Sequence, residues 1–150
     1  MSTYNNIVVA VDGSEEAKFA FEKAVEVAKR NEAKLHLVNI IDTRSFAAIE
    51  AYDRSIQERA KEFAEEKLAE YKAAAEKAGV VAESVIEYGS PKTMITREIS
   101  KKTEADLIVC GATGLNAVER FLIGSVSANI VRSAKCDVLV VRTPGGDHAE

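Results

Sequence analysis

Five short runs rich in β-branched residues punctuate the chain: Ile7 to Val11, Lys34 to Ile41, Val80 to Glu87, Asp106 to Cys110 and Asp137 to Arg142. Each is separated from the next by helical patterning. Strands that alternate with helices build a parallel sheet, because a parallel neighbour is reached only through a long crossover. Several of the runs are apolar at nearly every position, the pattern of strands covered by helices on both faces. The expected fold class is therefore α/β, an open five-stranded parallel sheet with helices on each side.

The intervening segments carry helix start and stop signals. Ser14 is a good N-cap, followed by Glu15 and Glu16 in the dipole-favoured first turn, and Ala17, Phe21, Ala24 and Ala28 recur at helical spacing. A second helix is predicted from about Tyr52 to Ala78, with Ala60, Ala64, Leu68, Tyr71, Ala75 and Ala78 on one face and Gly79 as its stop. At about 1.5 Å per residue it is roughly 40 Å long and outreaches the strands. Ser90 and Pro91 open a third helix that turns Met94, Ile95 and Ile99 inward, and a fourth begins near Ser125 and buries Val126, Ile130 and Val131. Residues 1–142 read as one domain and 143–150, with Pro144, Gly145 and Gly146, as a flexible tail.

Composition removes several function classes. Of 150 residues 47% are hydrophobic and 29% charged, enough for one continuous core. A formal charge of -4 without a basic run argues against nucleic-acid binding, which needs clustered Lys and Arg. Met1 to Asn6 lacks the features of a secretory signal, and the apolar run after it is too short to span a bilayer, so no membrane association and a cytoplasmic location are expected. Cys110 and Cys136 lie in apolar segments without metal-ligand spacing and read as buried thiols.

In an open α/β sheet, ligands bind beyond the carboxyl ends of strands where the winding direction reverses. After the first strand stands Asp12-Gly13-Ser14, and after the fourth runs GATGLNAVERFLIGSVS, from Gly111 to Ser127. Gly111 and Gly114 allow close backbone approach to a ligand, while Gly124 and Ser125 precede a helix N-terminus with unpaired N–H donors. Those parts suit a polyphosphate. Ser125 and Ser127 can donate hydroxyls to it, and Asp12 can accept from ribose hydroxyls or help to hold Mg²⁺. A second reading of Asp12, as a cap on its own turn, stays open. There is neither a GK[ST] nor a GxGxxG after strand one, so the two commonest nucleotide loops are excluded. Arg120 reads as a solvated turn residue, His36 as a structural histidine and His148 as part of the tail.

The glycine spacing resembles the G-x2-G-x9-G-[ST] motif of the ATP-binding branch of the universal stress protein family, matched by Gly111, Gly114, Gly124 and Ser125. The likeness extends to IVVAVDGS, LHLVNIID, GSP, ADLIVCGATGL and CDVLVVR, and so to nearly the whole chain. It implies a Rossmann-like sheet of order 3-2-1-4-5 with ATP over strands one and four, and Mg²⁺ or Mn²⁺ accompanying the nucleotide. Asp12 matches the family aspartate and Ile40 the residue whose backbone faces adenine. Gly111, Gly114, Gly124, Ser125 and Ser127 match phosphate and ribose contacts. Ala112 and Thr113 depart from the polar or basic pair of many members. The resemblance also implies a homodimer through the terminal strand, where an exposed Val138-Leu139-Val140-Val141 edge would otherwise be a pairing hazard. A binding, regulatory role is the leading expectation. Slow ATP hydrolysis or autophosphorylation is the enzymatic alternative, and a stress-related interaction module that binds no nucleotide is a third.

Overall fold

The computed structural model describes residues 4–42, 54–90, 93–112 and 125–142. Its elements, in chain order, are β1 (Asn6–Ala10), α1 (Glu15–Asn31), β2 (Lys34–Asp42), α2 (Arg54–Lys77) and β3 (Ala82–Gly89). There follow α3, β4 (Leu107–Gly111), α4 (Ser125–Ser133) and β5 (Asp137–Val141). Helix α3 is wound as a π-helix over Met94–Ile99 and as an α-helix over Ser100–Thr103. The strands form one sheet in the order β3-β2-β1-β4-β5, and every pairing is parallel.

This order follows from the chain's direction of travel. Crossovers from β1 to β2 to β3 all step one way and place α1 and α2 on one face. The chain then returns past β1 to β4, which places α3 and α4 on the other. Alternation along each strand divides the core accordingly. Ile7, Val9, Leu35, Leu37 and Val109 pack with Phe21, Ala24 and Leu68 on the first face. Val8, Val38, Ile108 and Cys110 pack with Ile95, Ile99 and Ile130 on the second.

Helix α1 begins where expected: the Ser14 hydroxyl accepts the Ala17 N–H at 3.1 Å, and Ala17, Phe21, Ala24 and Ala28 are all buried. Helix α2 buries Ala64, Leu68 and Ala75, and Tyr71 meets Phe21 with ring centroids 4.6 Å apart. It ends in a Schellman arrangement, in which Gly79 at φ +91° lets its own N–H bond Glu76 O and the Val80 N–H bond Ala75 O. That closure uses Val80, so β3 starts at Ala82 instead of at the expected Val80.

Helix α3 buries Ile95 and Ile99 as expected, whereas Met94 is half-buried against Gly89. Helix α4 buries Ile130, but Val131 is 48% exposed, contrary to expectation. In a helix that rests on the sheet along one stripe, the next residue is rotated about 100° away from it. Val126's side chain, Pro91 and residues 43–53 and 143–150 lie outside the described residues. Among the described residues no helix is long and apolar enough to cross a membrane.

Candidate functional site

The winding reverses between β1 and β4, which are hydrogen-bonded neighbours. Their carboxyl ends therefore place the Asp12 turn beside Gly111, two segments a hundred residues apart in sequence. The strands' own amides are satisfied there by protein: Val11 N–H bonds Val38 O at 2.8 Å, and Ala112 N–H bonds Val141 O at 2.9 Å. The Asn39 side-chain amide donates to Val11 O at 2.8 Å and ties the end of β2 to the end of β1. Nothing in the sequence singled out Asn39, whose partner is 28 residues away.

Asp12 holds the turn that carries it. Its Oδ1 accepts the Ser14 N–H at 2.9 Å and the Ser14 O–H at 2.6 Å, while Ser14 Oγ in turn accepts the Ala17 N–H. Gly13 reaches φ +87°, a conformation that L side chains rarely adopt. The capping role of Asp12 is thus present in the geometry. A carboxylate has about four acceptor positions, so two bonds at Oδ1 leave capacity at Oδ2. Burial pushes the Tyr71 hydroxyl above the usual tyrosine range, and the Asp12 carboxylate adds to that rise across the gap between α2 and the turn.

Gly111 is shaped by packing. A Cβ built there would lie 2.9 Å from Glu16 Cβ and 3.0 Å from Glu16 O, so the first turn of α1 rests on the strand at this point. Ser127 is buried and its hydroxyl donates to the Gly111 carbonyl, which clamps the first turn of α4 to the end of β4. Burial raises the pKa of the adjacent Cys110 thiol, a shift that its hydrogen bond with Ser127 partly offsets. Helix α4 starts at Ser125, and the first-turn amides of a helix have no intrahelical acceptor.

Ile40 lies on β2 opposite Glu87 of β3, one residue beyond Asn39. Asp12, Ile40, Gly111, Ser127 and the backbone of Ser125 are thus placed on elements that end at the carboxyl edge of the sheet. Gly114, Gly124, Thr113 and Arg120 lie outside the described residues. Among the described residues no group of three or more His, Cys, Asp or Glu could hold a metal ion. Cys110 and Cys136 are free thiols.

A model of the universal stress protein family matches residues 3–142. The chain belongs to the universal stress protein family. A relative of that name from Staphylococcus haemolyticus is 56% identical over 144 residues, covering 95% of this chain and 87% of its own. Among solved structures, universal stress protein UspA from Lactobacillus plantarum superimposes with a TM-score of 0.83 at 30% identity, over 95% of this chain and 100% of that one. A universal stress protein solved in complex with cAMP is 31% identical, with a TM-score of 0.68 over 94% and 98% of the two chains.

Proposed function

We propose that this universal stress protein is a cytoplasmic, ATP-binding regulatory protein that acts as a homodimer. The observation that carries the reading is the meeting of the Asp12 turn, Gly111 and the first turn of α4 at the reversal point between β1 and β4. That is where an open α/β sheet parts to admit a ligand. The cAMP complex of a relative with 31% identity supports an adenine nucleotide as the ligand.

In this reading the N-terminus of α4 faces the phosphates, its amides and dipole favouring negative charge, with Gly114, Gly124 and Ser125 completing the cradle. The Ser127 hydroxyl, donated to Gly111, positions that helix end. Asp12 Oδ2 accepts from the ribose, and the backbone at Ile40 faces the base. Mg²⁺ or Mn²⁺ would be held mainly through phosphate oxygens, with Asp12 as a carboxylate that would serve either the ribose or the metal. Such a metal would supply charge neutralisation of the phosphates. Nucleotide binding then stabilises one arrangement of the 111–124 segment and biases partner binding.

The test is mass spectrometry of ligand released from purified protein, followed by calorimetric titration with ATP and Mg²⁺ for wild type and Gly114→Arg. Binding by wild type and loss in the variant is expected. Equal binding would show the site reading to be wrong. Dimerisation is proposed through β5, the sheet edge, where Val138 and Val140 lean on one core and Leu139 and Val141 on the other. Light scattering should show Val140→Lys as a monomer, and an unchanged dimer mass would refute that interface.

A further inference from the structure

Helix α2 stands beside the proposed site in a way that neither its periodicity nor the glycine motif discloses. Phe63 Cε2 would lie 3.9 Å from a Cβ at Gly13, so the ring borders the turn that follows β1. From Phe63 back to Arg54 the helix continues for nine residues, about 14 Å, past the turn. Its first part therefore overhangs the carboxyl edge of the sheet as a side wall. Phe63 is 55% exposed, the one large apolar side chain in the charged stretch 58–63. Lys67 Nζ sits 5.8 Å from the ring centroid on the helix's own surface.

The β2 end approaches the same place, because Asn39 bonds Val11 O just before the turn. Gly13 and the ring of Phe63 thus border one corner of the crevice, and Asn39 ties the strand β2 to the end of β1 beside it. At Gly13 the turn sets no side chain against the ring. A flat aromatic heterocycle matches that corner, since it can cover an exposed ring while its edge meets strand backbone.

We propose that Phe63 is the aromatic wall against which the base of the bound nucleotide stacks. This rests on the adenine-nucleotide reading above and adds a base-binding residue from α2. Stacking on an aromatic ring acts on the base alone, so its loss affects every ligand that carries the base and none that lacks it. Phe63→Ala should weaken ATP, AMP and adenosine by a common factor of about ten or more and leave inorganic triphosphate binding unchanged. The chain contains no tryptophan, so Phe63→Trp supplies a single reporter whose fluorescence adenosine should quench while affinity is kept.

Calorimetry of wild type, Phe63→Ala and Phe63→Trp, with circular dichroism as the check on folding, separates the outcomes. If wild type binds ATP and Phe63→Ala binds it equally well, the wall is overturned and the nucleotide reading stands. If wild type binds no adenine nucleotide, both fall. Should Phe63→Ala fail to fold, Phe63→Trp decides: quenching by adenosine supports the stack, and retained binding without any fluorescence change overturns it.

Discussion

Substituting Gly111 by alanine separates the packing role of this glycine from its place in a ligand motif. The new methyl would arrive 2.9 Å from Glu16 Cβ, 3.0 Å from Glu16 O and 3.1 Å from Glu16 C. Two of those three atoms are helix backbone, which cannot swing aside as a side chain does, so α1 or β4 must move. Overpacking of this kind costs about 1–3 kcal/mol. Alanine also narrows the unfolded ensemble, which returns about 0.4–1 kcal/mol. The net loss is then about 1–2 kcal/mol, and at roughly 2–4 °C per kcal/mol for a chain of this size the melting temperature falls by about 2–8 °C. Differential scanning calorimetry reads it directly. Gly13→Ala is the informative comparison, because its Cβ meets only Phe63 at 3.9 Å and its cost of about 1 kcal/mol comes from φ +87° instead of from a clash. A Gly111→Ala protein that melts at or above the wild-type temperature would refute the argument that α1 rests on this strand end.

Two further perturbations probe the supports of the site. Ser14→Ala removes both the cap on Ala17 N–H and the hydroxyl that Asp12 holds, and chemical denaturation should show a loss of about 1–2 kcal/mol; a change near zero would mean that the cap carries no weight. His36 is buried on β2 with Nε2 3.2 Å from Asn6 Oδ1, and burial, with Lys34 adding and Glu83 opposing, lowers its pKa below the ordinary 6.5. The unfolded chain then binds the extra proton more readily, so this residue's contribution is full above about pH 6.5 and declines as pH falls toward the lowered folded value. Urea midpoints at about pH 7.5 and about pH 5.5 should differ less for His36→Gln than for wild type, and equal differences would contradict the sign.

Much of this architecture is written locally. The parallel order is implied by strands such as Ile7 to Val9, which are apolar on both faces, and α1 is announced by Ser14, Glu15 and Glu16 within one turn. The site is less legible because its decisive contacts are long-range. Gly111 reads in sequence as a glycine that admits a ligand, yet the structure gives its missing side chain to the packing of α1. Ser127 reads as a phosphate donor, while its hydroxyl goes to a carbonyl 16 residues earlier. Phe63 and Gly13 are fifty residues apart, and nothing in the period of α2 distinguishes an exposed ring over a turn from one facing solvent. The exposure of Val131 is hidden for a related reason, since two adjacent apolar residues on a short helix leave open which of them faces the sheet.

The central claim is that an adenine nucleotide occupies the crevice between the carboxyl ends of β1 and β4, and amide chemical-shift mapping on isotopically labelled protein tests it most directly. On titration with ATP and Mg²⁺ the largest changes should fall at Asp12, Gly13, Ser14, Ile40, Gly111 and residues 124–127. The opposite end of the sheet offers a cleft of about 490 Å³ lined by Tyr4, Arg30, Asn31, Asp137 and their neighbours. Changes confined to that cleft, or none anywhere at saturating nucleotide, would contradict the account.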